Sequence, residues 1–306
     1  MYDIVIVGAG PAGLTAAIYA RRANKSVLLL DKGAFGGQIT FSPKVENYPG
    51  FASCSGTELA DAFVEQVLAQ GADVEVENVI EIREQDGKKL VVTEEGSEYE
   101  AGAVILATGA RHRHLGLENE EKFIGEGISF CAVCDGAFYQ NKTVALIGGG
   151  NSALQEAILL SETSEKVYVV QNLDFLTGEK RLEEILRSRG NVEIITGTVV
   201  SAIADGDVFR SITLKKVATG EETELAVDGM FVAIGLVPEN GAFAPLADLD
   251  QVGYFDSAED CLTKTPGIFV AGDCRKKGVR QVTTATADGA TAAVAACRYL
   301  DTAFNH

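Results

Sequence analysis

A glycine-rich turn near the N-terminus constrains the fold of this chain more than any other feature. The β-branched run Tyr2–Val7 leads into Gly8-Ala-Gly-Pro-Ala-Gly13, and a helical pattern then extends to about Ala23. A second apolar run, residues 26–30, ends at Asp31. Strand, glycine turn, helix, strand and terminal acid together form the pattern of a Rossmann unit that binds a dinucleotide.

Each residue of this pattern has an expected role. Gly8 permits the tight turn, Gly10 lets the backbone approach a pyrophosphate, and Gly13 lets the helix pack close to the strand. The pyrophosphate would lie at the helix N-terminus, where free N–H groups favour negative charge. Asp31 would accept hydrogen bonds from a ribose diol. The alternative interpretation is a glycine turn that binds nothing.

The same pattern occurs a second time in the middle of the chain. The run Thr143–Ile147 is followed by Gly148-Gly-Gly-Asn-Ser-Ala153, a helix to about Leu160 and a strand over residues 166–170. Each copy also has a later matching strand, at residues 103–109 and 229–235 respectively. The repeat predicts an α/β protein with two dinucleotide-binding, Rossmann-like domains.

The C-terminal part predicts how the two domains are connected. A buried strand over residues 267–273 and an alanine-rich helix over residues 281–299 need a partner sheet. The simplest arrangement returns them to the first domain, so that the second is an insertion. We expect a first domain of residues 1–113 and 245–306, and a second of residues 114–244.

Composition excludes several classes of function. The net charge of -18 over 306 residues argues against nucleic-acid binding, which needs a basic surface. No apolar run approaches the roughly 20 residues that span a bilayer, and the N-terminus lacks the basic region of a signal peptide. We expect a cytoplasmic protein without a membrane partner.

A Cys-x-x-Cys pair, Cys131 and Cys134, lies just before the second glycine turn. A zinc clip would need four ligands, and no second pair of cysteines or histidines stands at ligand spacing. A structural staple over so short a loop would constrain little of the unfolded chain. Redox chemistry is the preferred interpretation over zinc, for which we expect no site, and over an inert pair. The remaining cysteines are scattered singly, at Cys54, Cys261, Cys274 and Cys297, and the three histidines are His112, His114 and His306.

A series of short motifs extends over nearly the whole chain: Gly8-Ala-Gly-Pro-Ala-Gly13, Gly36-Gly-Gln38, Glu46-Asn-Tyr-Pro-Gly50, Ala107-Thr-Gly109, Cys131-Ala-Val-Cys-Asp135, Gly148-Gly-Gly-Asn-Ser-Ala153, Gly272-Asp273 and Arg280-Gln281. In order and spacing they resemble the low-molecular-weight thioredoxin reductases. The resemblance implies FAD in the first domain, a nicotinamide cofactor in the second, a homodimer, and thioredoxin or a similar small disulfide protein as partner.

The resemblance also implies which residues hold FAD. The family usually has alanine where this chain has Val282, which is a small departure. The implied FAD residues are Gly8, Gly10, Gly13 and Asp31 at the pyrophosphate and ribose, Gly37, Gln38 and Gly109 along the cofactor, Asn47 beside the flavin, Asp273 at the ribityl or phosphate region, and Gln281 and Val282 at the isoalloxazine ring.

In family terms, Cys134 faces the flavin, Cys131 attacks the partner disulfide and Asp135 donates or accepts the proton. Physical chemistry supports these roles, because the thiolate is the nucleophile in disulfide exchange and Cys-x-x-Cys pairs commonly have a lowered thiol pKa. A carboxyl group beside the second cysteine can protonate the leaving thiol. The alternative for Asp135 is an ordinary helix cap.

The second domain departs from the family at its cofactor site. Gly148, Gly150 and Ala153 still suit a pyrophosphate, although they also suit mere packing of strand and helix. The family normally places several basic residues after the following strand to hold the 2'-phosphate of NADPH, whereas this chain has Gln171-Asn-Leu-Asp-Phe-Leu-Thr177. Lys180 or Arg181 would have to reach back. We therefore expect NADH or a ferredoxin-like protein as electron donor, and poor use of NADPH.

Three functions are compatible with these residues. The preferred one is a flavin-dependent thioredoxin-disulfide reductase that works through Cys131 and Cys134. The alternatives are an NAD(P)H-dependent reductase of a peroxiredoxin system, and a flavin redox sensor that does not turn over.

Overall fold

The computed structural model describes residues 1–42, 45–85 and 87–303. The chain divides into two compact units, one formed by Met1–Arg111 with Val237–His306 and the other by His112–Leu236. In sequence, the second unit is therefore inserted into the first.

The first unit is built on a mainly parallel sheet. Its central strand β1 pairs in parallel with β2 and β6, while β2 also pairs with β3, and β6 also pairs with β17. An antiparallel extension, β4 and β5, continues from β6. The bounds are β1 (Tyr2–Val7), β2 (Val27–Asp31), β3 (Asp73–Val76), β4 (Val79–Gln85), β5 (Lys88–Thr93), β6 (Glu98–Leu106) and β17 (Ile268–Val270).

The described residues of this unit form three α-helices, and two of them pack unusually close together. Helix α7 lies against α1, and a Cβ added at Gly289 would come within 2.1 Å of the Ala12 carbonyl oxygen. Small residues on both helices, including the fully buried Ala292 and Ala293, permit this approach and explain the alanine-rich composition of α7. The helices are α1 (Pro11–Arg22), α2 (Gly56–Ala69) and α7 (Val282–Ala303), with 3-10 turns at Gly37–Phe41, Gly241–Phe243 and Gly272–Cys274.

The second unit repeats the parallel arrangement around its own central strand, β9. Strand β9 pairs in parallel with β10 and β15, β10 pairs with β11, and β15 pairs with β8. A separate antiparallel sheet, β12-β13-β14, has no counterpart in the sequence-based expectations. The strands are β8 (Ile128–Ser129), β9 (Thr143–Ile147), β10 (Lys166–Val170), β11 (Val192–Ile195), β12 (Thr198–Ile203), β13 (Ser211–Lys216), β14 (Glu222–Ala226) and β15 (Gly229–Val232).

The helices of the second unit carry the residues of most chemical interest. They are α3 (Glu120–Phe123), α4 (Ala132–Asp135), α5 (Asn151–Ser161) and α6 (Lys180–Ser188), with a 3-10 turn at Gly136–Tyr139. Strands β7 (Ala110–His112) and β16 (Leu236–Pro238), where the chain passes from one unit to the other, pair as a two-stranded sheet. The predicted α/β class with two Rossmann-like sheets is confirmed. Among the described helices, none combines the length and apolar character needed to cross a membrane.

Candidate functional site

The first glycine turn connects β1 to α1 and is tightly packed on one side only. Gly8 has a φ of +105°, and a Cβ there would lie 2.3 Å from the Ala107 carbonyl oxygen. A Cβ at Gly13 would lie 1.8 Å from the Gly8 carbonyl oxygen, whereas one at Gly10 would meet nothing within 4 Å. Gly8 and Gly13 thus hold strand and helix together, and Gly10 leaves the backbone open to a ligand.

Asp31, at the end of β2, braces this turn. Its Oδ2 accepts a 2.6 Å hydrogen bond from the Ala9 N–H, and its Oδ1 accepts a 2.9 Å bond from the Gly33 N–H. Each carboxylate oxygen can accept more than one hydrogen bond, so a ribose diol could still bind there. The ribose contact itself stays a prediction.

The segment around Gly37 lies directly against the turn. The Gly36 N–H donates a 2.8 Å bond to the Ala9 carbonyl, and a Cβ at Gly37 would come within 3.1 Å of the Gly10 Cα. Gln38 is exposed in the 3-10 turn that follows. Gly109, with a φ of +68°, also has nothing within 4 Å of an added Cβ.

Asp273 has a partly exposed side chain, 34% accessible, that carries one buried oxygen. Its Oδ1 is buried and has no hydrogen bond, with the Lys277 Nζ 3.9 Å away. Burial raises the pKa of Asp273 to about 6, although Lys277 and Arg280 oppose the shift. A Cβ at the adjacent Gly272 would lie 2.7 Å from the Ala12 Cβ, so the backbone just before Asp273 packs against the start of α1. A buried acceptor without a donor calls for a ligand hydroxyl or N–H group.

Residues predicted at the flavin ring also lie together. The Asn47 Nδ2 donates a 3.2 Å bond to the Gln281 Oε1, and Val282 begins α7 and packs against the buried cluster that includes Ile39 and Val45. The open glycine at position 10, the orphaned carboxylate oxygen and this polar pair all belong to the first unit. These residues fit the pyrophosphate, hydroxyl and ring groups of FAD.

The second unit carries the sulfur chemistry. Cys131 and Cys134 form a disulfide with a Cα–Cα distance of 5.3 Å, at the start of α4. Both cysteines are partly exposed, and Val133 between them is 57% exposed. The Cys134 N–H donates a 3.2 Å hydrogen bond to the Cys131 Sγ. A donor on this sulfur would stabilise a thiolate after reduction.

Asp135 follows the disulfide and is buried. Its Oδ2 accepts a 2.6 Å hydrogen bond from the Ser129 hydroxyl, while its Oδ1 is buried without a hydrogen-bond partner. Burial raises the pKa of Asp135, and the Ser129 bond partly opposes the shift. The helix-cap alternative is wrong, because Asp135 makes no side-chain capping bond at the 3-10 turn it precedes.

The second glycine turn repeats the packing of the first at its base. Gly148 has a φ of +138°, and a Cβ there would lie 2.4 Å from the Ala233 carbonyl oxygen and 3.1 Å from the Ala153 Cβ. Gly148 and Ala153 therefore serve the close approach of β9, β15 and α5. This packing role is present with or without a nucleotide.

The segment after β10 lies across this second turn. A Cβ at Gly149 would lie 2.6 Å from the Cδ of Gln171, which is buried. The Gly149 carbonyl accepts bonds of 2.8 and 2.9 Å from the N–H groups of Thr177 and Gly178. The Thr177 Oγ1 would lie 3.7 Å from a Cβ at Gly150. Gly149 is thus packed like Ala9 in the first turn, whose carbonyl accepts a bond from the Gly36 N–H, while the backbone at Gly150 is open.

The same segment continues to the first residue of α5. The Glu179 N–H donates a 2.7 Å bond to the Asn151 Oδ1, and the Asn151 Nδ2 donates a 3.2 Å bond to the Glu179 Oε1. An acidic side chain is therefore bonded at the helix start where a pyrophosphate would bind. Lys180 and Arg181 are exposed at the beginning of α6.

Two residues beside the disulfide were not identified from the sequence. Ser129 bonds Asp135 and also accepts a 3.1 Å bond from the Cys131 N–H. Glu156 on α5 accepts a 3.2 Å bond from the Ala132 N–H. No local pattern marks either residue, because each is recognised only by the partner that the fold brings to it.

Comparison with known proteins places the chain in a family. The family model described as pyridine nucleotide-disulphide oxidoreductase matches residues 2–289. The chain is 43% identical to a thioredoxin reductase of Treponema pallidum (strain Nichols) over 305 residues, covering 99% of each. It is 41% identical to a thioredoxin reductase of Listeria innocua over 303 residues, covering 98% of this chain and 94% of the relative.

A solved structure agrees with these relatives. The thioredoxin reductase of Streptococcus pyogenes matches with a TM-score of 0.93 and 40% identity, covering 99% of each chain. The fold, the Cys131–Cys134 disulfide and the first glycine turn, which fits FAD, agree with this similarity. The chain therefore belongs to the pyridine nucleotide-disulphide oxidoreductase family, among the FAD-dependent disulfide oxidoreductases of the thioredoxin reductase type.

Proposed function

We propose that the chain reduces thioredoxin or a similar small disulfide protein through Cys131 and Cys134. The observation that carries this proposal is a partly exposed disulfide next to a buried carboxyl group with one unpartnered oxygen. Bound FAD would supply the two electrons that open the disulfide. Gly8, Gly10, Gly13, Asp31, Gly37, Gln38, Gly109, Asn47, Asp273, Gln281 and Val282 of the first unit would hold it.

Asp135 would donate the proton that a sulfur needs in order to leave as a thiol. Opening the Cys131–Cys134 bond places two electrons on the sulfurs, and a sulfur that leaves as a thiol must gain a proton. Because burial raises its pKa, Asp135 stays protonated to a higher pH than an ordinary carboxyl group. Ser129 holds one oxygen in place, and the other is free to carry the proton.

Exchange with the partner then uses both sulfurs. The Cys131 thiolate attacks the partner disulfide, forming a mixed disulfide and releasing one partner thiolate, which takes up a proton. Cys134 attacks the mixed disulfide next, so that the Cys131–Cys134 bond forms again and the second partner thiol leaves. Two electrons and two protons reach the partner, and the exposed Val133 offers apolar contact beside the reacting sulfur.

We also propose that the electron donor is NADH or a ferredoxin-like protein and that NADPH is a poor donor. Residues 171–177 contain no lysine or arginine to hold a 2'-phosphate. The neutral Gln171 also offers no carboxylate to the ribose diol of NADH, so a protein donor ranks level with NADH. A one-electron protein suits a flavin, because a flavin can accept electrons singly.

One experiment tests both parts. Anaerobic stopped-flow mixing of the FAD-containing protein with NADPH, NADH or photoreduced ferredoxin follows flavin bleaching, and thiols formed on oxidised thioredoxin are counted afterwards. We expect fast bleaching with NADH or ferredoxin, slow bleaching with NADPH, and many thioredoxin molecules reduced per chain. Rapid, saturable bleaching by micromolar NADPH would contradict the donor assignment. A single stoichiometric event would instead indicate a redox sensor.

The assembly and the compartment are inferred from the family resemblance. A homodimer would appear in sedimentation as a particle of two chains, and a monomer at micromolar concentration would contradict this inference. A reducing cytoplasm suits the four cysteines outside the disulfide, Cys54, Cys261, Cys274 and Cys297, which are unpaired.

A further inference from the structure

Glu156 connects helix α5 to the disulfide loop. Its Oε2 accepts a 3.2 Å hydrogen bond from the N–H of Ala132, the residue that directly follows Cys131. Ala132 is buried, and Glu156 itself is partly buried. Burial raises the pKa of Glu156 to about 7, although the Ala132 bond opposes the shift. A carboxyl group whose pKa lies near neutrality is thus hydrogen-bonded to the backbone next to Cys131.

The surroundings leave this carboxyl group without a compensating cation. Within residues 1–42, 45–85 and 87–303, no lysine or arginine forms an ion pair with Glu156, and its hydrogen bond is to the Ala132 amide. The titratable side chains on elements packed against α5 are those of the redox pair and Asp135, Tyr139, Lys166, Tyr168, Lys180, Arg181, Glu183, Glu184 and Arg187.

We propose that Glu156 is a positioning residue that sets the reactivity of Cys131 by holding the Ala132 amide and placing a negative charge beside the redox pair. The inference rests on the proposed redox role of the disulfide. An ionised carboxylate disfavours a second negative charge nearby, so the Cys131 thiolate forms at a higher pH when Glu156 is ionised. A neutral side chain at position 156 removes that opposition.

The proton balance shows where this charge acts. When a dithiol reductant opens the disulfide, the Cys131–Cys134 bond breaks, a disulfide forms in the reductant, and the two thiol protons pass to Cys131 and Cys134. Ionisation of the Cys131 thiol then releases one proton to solvent. The charge on Glu156 determines the pH at which this release occurs, and therefore how much nucleophilic thiolate is present near neutrality.

The test measures Cys131 itself and needs neither a partner nor an electron donor. The FAD-containing protein is reduced with dithiothreitol, desalted anaerobically and alkylated with iodoacetamide between about pH 5 and 9. Mass spectrometry quantifies the modified Cys131 peptide at each time. Because thioredoxin is absent, failure here is distinguishable from failure of the proposed reductase activity.

We expect Glu156→Gln to raise the alkylation rate of Cys131 at pH 7.5 by about threefold or more, because the thiol pKa falls. The dependence of the wild-type alkylation rate on pH should show two ionisations, those of Glu156 and the Cys131 thiol. The variant should show the thiol ionisation alone. Glu162→Gln, at the exposed end of the same helix, is the matched control and should follow the wild type. Superimposable Glu156→Gln and wild-type profiles would overturn the proposal. If the variant does not fold, a single ionisation in the wild type alone would overturn it.

Discussion

The side chain of Gln171 lies over Gly149, so closely that a Cβ on this glycine would come within 2.6 Å of the Gln171 Cδ. In the first turn the same position is held by the buried Ala9, whose N–H is bonded by the Asp31 carboxylate. Gln171, which directly follows β10, thus takes in the second turn the place that Asp31 takes in the first. The backbone of Gly150, in the position of Gly10, is open, since a Cβ there would meet the Thr177 Oγ1 at an ordinary 3.7 Å. The contact of Gln171 with Gly149 therefore leaves the pyrophosphate position free.

This contact predicts the effect of adding one methyl group. Gly149→Ala should destabilise the protein by about 1 kcal/mol, the low end of overpacking, because the new Cβ meets the far end of the flexible Gln171 side chain. Gly150→Ala is the matched control, since its nearest neighbour would be the Thr177 Oγ1 at an ordinary 3.7 Å. Urea unfolding followed by circular dichroism measures both. Adding Gln171→Ala to Gly149→Ala should recover most of the loss, and strict additivity of the two changes would show that they do not touch.

Removing either sulfur should stop partner reduction without releasing the flavin. Cys131→Ser and Cys134→Ser are expected to reduce thioredoxin at less than about one-thousandth of the wild-type rate, as when a nucleophile is removed. Cys54→Ser is the control, because Cys54 is a partly exposed free cysteine. Thiol formation with the preferred donor measures the rate, and flavin absorbance measures cofactor content. Near-native turnover by either variant would contradict the assignment.

The carboxyl group of Asp135 should determine the pH dependence of disulfide opening. The protonated form is the donor and its pKa is raised by burial, so the wild-type rate should fall as pH rises through that raised pKa. Asp135→Asn should lower the rate by about 100-fold or more and remove this pH dependence. Ser129→Ala leaves the carboxyl group in place and should retain a pH-dependent rate. The measurement is single-turnover mixing of the protein with reduced flavin across the pH range. A rate profile of Asp135→Asn that matches the wild type would contradict the assignment.

The orphaned oxygen of Asp273 predicts weaker flavin binding on mutation. Asp273→Asn should raise the dissociation constant of FAD by about 10-fold to 100-fold, the usual effect of losing a hydrogen bond to a charged group. Because the pKa of Asp273 is about 6, wild-type affinity should fall as pH drops below that value, and the variant should lack this decline. Asp256→Asn, an exposed residue paired with Lys276, is the control. Flavin fluorescence measures the released cofactor, and equal affinities would count against a contact at Asp273.

The parts of the fold that follow from local periodicity could be predicted from the sequence. The two glycine turns and their flanking strands are visible as residue spacing, because a Rossmann unit needs small residues at fixed positions. The sheet of β12, β13 and β14 was not predicted, and neither was the covering of Gly149 by Gln171 and Thr177. The sheet consists of strands that pair with their neighbours in the chain, which local alternation could have indicated. The covering of Gly149 depends instead on contacts between segments more than 20 residues apart. Glu156 was missed for the same reason, since its partner Ala132 lies on another element.

The close packing of α7 on α1 has a consequence for synthesis on the ribosome. Gly289 meets Ala12 from the opposite end of the chain, so the first unit cannot bury this helix face until translation is almost complete. At typical elongation rates that delay is on the order of tens of seconds. The inserted unit, His112–Leu236, is continuous in sequence, so its core can form before α7 has been synthesised. The N-terminal strands and α1 cannot complete their own core until then. During that interval the apolar face of α1 is open to chaperones, and truncation before α7 should leave an aggregation-prone fragment.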